Sequence, residues 1–207
     1  LIPELVIGSS IAIKASAGFD AIAQALESLI SKKSNEESVK FSTKSLNISI
    51  KNYLKYLNSP NYENTAAMCL AANLSGEAIS ISKTTAPHAV SYPFTAIYNI
   101  SHGHAVSLTL TKFLRYNYEN IQFADCNFDL KKRYQIIFDV TKTNNIDDLN
   151  NFLSKIKKEA KLESDFKKLG INIKKDYDNI ISGVNILRLS NNPIRLEKQN
   201  LKKIILS

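Results

Sequence analysis

Cysteine is scarce in this chain, with Cys69 and Cys126 alone among 207 residues. They lie far apart and in no Cys-x-x-Cys pattern, which excludes a cysteine-built zinc or redox motif and leaves buried thiols in a reducing cytoplasm. Glycine is thin as well. Gly8, Gly18, Gly76, Gly103, Gly170 and Gly183 are too dispersed to build a loop that cradles phosphate, so no nucleotide-binding turn is present. Long hydrophobic runs are missing too, although a membrane helix needs roughly 20 apolar residues. The opening "LIPELVIGSSIAI" is broken by Pro3, Glu4 and Gly8 and has no charged leader, so it is neither a signal peptide nor a span. Leu1 in place of methionine points to a piece of a longer chain.

What is present is ample for a core, since 44% of the residues are hydrophobic. The formal charge is +8, and basic residues gather late, in "LKKRY", "SKIKKEAKLESDFKKLG" and "IKKDYD". They alternate with acids and apolar residues at helical spacing, the pattern of solvated helix faces. Single-strand binders interleave cations with aromatic stacking platforms. None is interleaved here, so neither nucleic acid nor membrane is expected as a partner.

Helical periodicity dominates. "SAGFDAIAQALESLISKK" places Phe19, Ile22, Ala23, Leu26, Leu29 and Ile30 on one face, with Ser16 as the expected cap. Ser34 and Glu37 have capping-box spacing, and Pro60 stops the helix that follows. "NYENTAAMCLAANLSGEAISIS" is rich enough in small residues to read as a buried, closely packed helix. "HGHAVSLTLTKFLRYN" reads as one apolar helix, and "IDDLNNFLSKIKKEA" and "EKQNLKKIIL" as later amphipathic ones. Alternating strand patterns are brief, no fixed-period repeat occurs and no linker divides the chain. The expectation is one all-α domain over residues 1–207.

All three histidines, His88, His102 and His104, fall in one short stretch. His88 follows Pro87, a favoured first-turn residue, and Pro93 is expected to end that helix. His102 follows Ser101, a plausible N-cap, and Gly103 removes a side chain beside it. Asp20 and Gln24 share a face of an earlier helix, four residues apart. Two histidines and an aspartate from three helices are ligand types for divalent iron or zinc. On spacing alone, capping or core histidines explain His88 and His102 equally well.

The same residues resemble the iron-containing alcohol dehydrogenases. "GFDAIAQALES" is similar to that family's Gly-x-Asp-Ala-x-x-His-Ala-x-Glu segment. "APHAVSYPFTAIYNISHGHAVSLTL" resembles its segment with one His, a His-Pro four residues on and a later His-Gly. "NNPIRL" resembles its terminal Asn-Pro-Arg, with Ile194 inserted before Arg195, and "PELV" the stretch after its nucleotide-binding half. The resemblance implies an all-helical, metal-binding C-terminal domain, with the Rossmann-like half that takes NAD or NADP absent from this chain. It implies metal ligands at Asp20, His88 and His102, with iron(II) first and zinc second. Gln24 stands where most members have histidine; its carbonyl is a weaker donor than imidazole, so it either coordinates or stands beside the metal. Tyr92 stands where many members have a histidine near the reacting centre. It is the candidate proton donor, a poorer relay at a pKa of about 10. His104 inherits no ligand role and belongs to the surface or a supporting layer.

"KTTAPHAVSY" together with Gln24 resembles the phosphonoacetaldehyde reductases, or hydroxyethylphosphonate dehydrogenases, within that family. An anion site is then expected at Lys83, Thr84 and Thr85, where an ammonium and two hydroxyls precede a helix N-terminus. The plainer alternative is that Thr85 caps that helix and Lys83 is solvated. The implied substrate is a small aldehyde or alcohol, and the implied assembly a homodimer or association through the exposed interdomain face. Two rivals remain at this stage. One is a dehydroquinate-synthase-like metal-dependent lyase, against which the spacing of His88 and His102 and "NNPIRL" argue. The other is a non-catalytic helical interaction module.

Overall fold

The computed structural model describes residues 1–206, apart from the Lys198 side chain. The chain is helical, as expected. In order come α1 (Glu4–Ile7), α2 (Ile11–Ile30), α3 (Glu36–Asn58), α4 (Tyr62–Ser82), α5 (Ala86–Tyr98), α6 (His102–Ser107) and α7 (Leu110–Glu119). A 3₁₀ turn at Ile121–Phe123 leads to α8 (Leu130–Thr141), α9 (Ile146–Glu159), α10 (Ile173–Ser182), α11 (Ile186–Leu189) and α12 (Lys198–Leu206). The β-pairing among the described residues is one antiparallel bridge, Ala124 with Ile194. No described helix is long and apolar enough to cross a membrane.

Several boundaries differ from the sequence expectation, each for a local reason. Helix α2 starts from Ser10, whose hydroxyl accepts the Ile13 N–H at 3.3 Å, rather than from Ser16. Ser16 is buried in the helix, where its Oγ accepts the backbone N–H of His104 at 3.2 Å. It therefore satisfies a free donor in the first turn of α6, a long-range cap. The capping box of α3 uses Asn35 and Ser38, not Ser34 and Glu37. Asn35 Oδ1 accepts from Ser38 N at 2.9 Å and Ser38 Oγ accepts from Asn35 N at 3.0 Å. Asn61 and Asn64 repeat the device at α4. That helix is buried on one face only: Met68, Ala71, Leu74 and Ala78 pack inward, while Ala72, Asn73 and Glu77 are exposed.

Pro93 does not end α5; the helix runs on to Tyr98. A proline removes one helical N–H and frees the carbonyl four residues earlier. Here that carbonyl, Ala89 O, accepts from Asn185 N at 3.2 Å, so the lost bond is replaced from outside. The segment "HGHAVSLTLTKFLRYN" forms two helices, α6 and α7, rather than one. At the break, the Ser107 carbonyl accepts from Lys157 Nζ at 2.9 Å. Lys157 departs from the solvated basic faces expected late in the chain: it is buried, and burial, helped by nearby Lys112, pulls its pKa down to about 8. Cys69 and Cys126 are free and half-buried rather than fully buried.

Two apolar clusters organise the packing. In one, α2 meets α3, α4, α8 and α9 through Phe19, Leu26, Leu46, Tyr53, Tyr134 and Leu149. In the other, α5, α7, α10 and α12 meet through Val90, Phe94, Phe113, Ile180 and Ile205. Fully burying a large apolar side chain contributes about 1.5–3 kcal/mol. Helix α6 packs on α2, and His88 of α5 reaches Glu27 and Asp20 on α2, so the seam between the clusters receives Asp20, His88 and His102. Close approach at that seam depends on Gly103. A Cβ there would lie 2.0 Å from Ser16 O and 2.8 Å from Asp20 Cβ. Because the nearest atom is backbone, no rotamer change relieves the clash. Gly103→Ala should therefore cost about 1–3 kcal/mol by overpacking. A thermal melt matching that of the wild type would show that α6 has room to move.

Candidate metal centre

Asp20 lies mid-way along α2, His88 in the first turn of α5 and His102 at the first position of α6. One donor atom from each lies within 4.8 Å of the others. His88 Nε2 faces Asp20 Oδ1 at 3.3 Å, and His102 Nε2 approaches the same oxygen at 3.9 Å. The imidazole rings of His88 and His102 stand edge to face with centroids 5.3 Å apart. His88 is 2% exposed, Asp20 18% and His102 41%, so the cluster is closed behind and open at one side. Asp20 Oδ1 and His88 Nε2 are both buried and, apart from their 3.3 Å approach to each other, lack a hydrogen-bond partner. These residues could hold a divalent cation, because a carboxylate oxygen and two imidazole nitrogens converge where two polar atoms are otherwise left unsatisfied.

The rear of the site is built by Glu27, for which the sequence suggested no role. Its Oε1 lies 2.5 Å from His88 Nδ1. Its Oε2 accepts from Thr85 N at 2.7 Å and Thr85 Oγ1 at 2.9 Å. Glu27 is fully buried, and an unpaired carboxylate there would be costly; three donors and the N-terminal end of α5 surround it instead. A usable signal existed, since Asp20, Gln24 and Glu27 recur at helical spacing along one face. Burial lowers the basicity of His88, but the Glu27 charge, with Asp20 adding, overrides it and raises the pKa to about 9. His102 is shifted down instead, chiefly by burial, with His88 and Arg188 adding.

Gln24 stands beside the cluster as a brace. Its Nε2 donates to Asp20 Oδ2 at 2.8 Å, and its Oε1 accepts from Ser75 Oγ at 2.9 Å. Tyr92, on α5, is half-buried with its ring 5.9 Å from that of His102, and Arg188, on α11, places its Cζ 5.5 Å from the Tyr92 centroid. His104 points away, its Nε2 meeting the Glu163 carbonyl at 2.7 Å.

The expected anion site at residues 83–85 is rearranged. Both Thr85 donors are engaged by Glu27, and Lys83 Nζ turns outward to donate to Ser80 O at 2.6 Å. Thr84 keeps a link towards the cluster, accepting from Arg188 Nη1. Asn191 locks this segment, its amide reaching Ser82 O at 2.8 Å and Thr84 O at 3.0 Å.

This arrangement matches a family. Residues 14–207 match the model of the Fe-containing alcohol dehydrogenase family, C-terminal region. The chain belongs to that family. Among individual relatives, it is 33% identical over 127 residues to a phosphonoacetaldehyde reductase of Streptomyces viridochromogenes, covering 61% of this chain and 32% of that one. A 4-hydroxybutyrate dehydrogenase of Clostridium kluyveri is 27% identical over 122 residues, 58% of this chain and 33% of its own length. In structure, 99% of the chain superposes on 52% of a sulfoacetaldehyde reductase of Bifidobacterium kashiwanohense in complex with NAD+, at TM-score 0.84 and 25% identity. The chain thus spans about half of that structure, and the stretches it matches in the two curated relatives are about a third of their length.

The raised pKa of His88 makes a prediction for metal-free protein. A group whose folded pKa exceeds its unfolded one adds stability that is complete below the unfolded value and lost as pH rises through the folded value. Between about 6.5 and about 9, wild type should therefore lose stability to denaturant relative to His88→Gln. Parallel pH profiles for the two proteins would contradict the proton assignment.

Proposed function

We propose that Asp20, His88 and His102 hold one divalent metal, iron(II) first and zinc second. We propose further that the chain is the metal-carrying part of a nicotinamide-dependent alcohol dehydrogenase or aldehyde reductase. The observation that supports this is the pair of orphaned buried atoms, Asp20 Oδ1 and His88 Nε2, facing one another beside His102. A bound divalent ion supplies Lewis-acid polarisation of a carbonyl oxygen, and a nicotinamide cofactor supplies hydride. The chain's own residues prepare the place. Glu27 orients His88 through Nδ1, leaving Nε2 turned to the cluster. Gln24 fixes the Asp20 carboxylate by holding Oδ2, so that Oδ1 faces His88. His102, made less basic by burial, turns its Nε2 towards Asp20 at the open side. Tyr92, against His102, is the proton donor in this reading.

The substrate read from this site is an aldehyde bearing an anionic head, with phosphonoacetaldehyde first. The relatives are named for molecules that join a carbonyl or hydroxyl to a phosphonate, a sulfonate or a carboxylate. Leu1, Ile2, Leu5, Ile11 and Ile13 are exposed, an apolar surface suited to a nucleotide-binding half or a second copy of the chain.

Anaerobic loading with iron(II) or zinc, followed by elemental analysis, should return close to one metal per chain. His88→Ala should abolish retention, and Glu27→Gln should weaken it by about 10–100-fold, as loss of an outer-layer partner does. Unaltered stoichiometry in His88→Ala would remove the metal site.

A further inference from the structure

Arg115 is paired with Glu119 and Asp147. Arg133 and Arg188 are both half-buried with no ion-paired carboxylate among the described residues, but Arg133 rests on Phe128, whereas Arg188 rests against Tyr92 beside His102. A guanidinium carries five N–H donors in a rigid fork. Here one nitrogen donates to Thr84 Oγ1, and the plane rests against Tyr92. The Tyr92 ring in turn touches His102, the most exposed member of the Asp20, His88 and His102 cluster, so the cation stands one ring removed from it.

Its position is prepared by backbone chemistry. Pro93 leaves the Ala89 carbonyl free, and that carbonyl accepts from Asn185 N at 3.2 Å. Asn185 then caps α11, its Oδ1 accepting from Arg188 N at 3.0 Å. From the other side, Asn191 holds the Thr84 carbonyl. The α11 N-terminus that carries Arg188 and the Thr84 backbone that it reaches are thus both held in place. A fork fixed this way, with donors to spare and no acid to neutralise it, is a receptor for an anion.

We propose that Arg188, assisted by Thr84, binds the tetrahedral oxyanion head of the substrate, a phosphonate or sulfonate, while the carbonyl end lies at Asp20, His88 and His102. Arg188 would thereby select aldehydes with a charged head over uncharged ones. The assignment rests on the aldehyde-reductase reading above. It moves the anion site from Lys83 and Thr85, whose donors point elsewhere, to a residue that the sequence did not connect with them.

The test uses the complete protein loaded with metal, in wild-type, Arg188→Met, Arg188→Lys and Thr84→Val forms whose melting temperatures are first compared. For phosphonoacetaldehyde, sulfoacetaldehyde and propanal, kcat/KM is measured. Arg188→Met should lower the ratio of either anionic aldehyde to propanal by about tenfold or more, mainly through KM, as loss of charge-assisted hydrogen bonds predicts. Arg188→Lys should recover part of that ratio as a point charge without the fork. A larger loss for the phosphonate than the sulfonate would identify the doubly charged head as the preferred one. Equal losses on charged and uncharged aldehydes would make Arg188 a structural support and overturn the proposal. Binding of methylphosphonate, followed by calorimetry, separates this from the activity itself. If wild type reduces none of the aldehydes, the reductase reading fails. Loss of methylphosphonate binding in Arg188→Met would still uphold the anion site, and undiminished binding would refute it.

Discussion

One buried carboxylate holds the functional end of this structure together. Glu27 has no exposed surface, and its two oxygens collect the Thr85 N–H, the Thr85 hydroxyl and His88 Nδ1. A charge placed there is tolerable only with such partners, and the partners come from the start of α5. The demand to satisfy Glu27 therefore sets where α5 begins against α2 and which way the His88 ring faces. The orphaned Nε2 beside Asp20 follows from it.

Around that anchor, the site is shaped as much by missing groups as by present ones. Gly103 lacks the Cβ that would strike the α2 backbone, so His102 can approach Asp20. Pro93 lacks the N–H that would occupy Ala89 O, and α11 docks through the freed carbonyl. Ser16 and Asn191 work in the opposite sense, each a buried side chain that supplies a partner to backbone groups distant in sequence. Arg188 owes its place to Pro93, which frees Ala89 O for Asn185, and to Asn191, which holds Thr84.

Much of this could be read in the chain before its structure. Helical content followed from three- and four-residue spacing, because the apolar face of a helix repeats with the backbone's own period. The meeting of Asp20, His88 and His102 followed from the family's motif spacing. Two kinds of position needed the structure. Sequence spacing favours local roles for Ser16, Ser34 and Pro93 as caps or a stop, where a neighbouring element or an adjacent residue supplies the competing bond. Sequence leaves Thr85 open between a substrate contact and a helix cap, and Glu27, 58 positions away, claims both its donors.

The sequence by itself determined the helical class and carried Asp20, His88 and His102 at spacings that resemble the family's, since these depend on residue type and short-range period. Tertiary structure alone decided which polar atoms remain unpaired, that Glu27 stands behind His88, and that Arg188 lies against Tyr92. The reason is physical: a hydrogen-bonding group has no preference along the chain for its partner, and only packing fixes which donor and acceptor are left together when water is excluded.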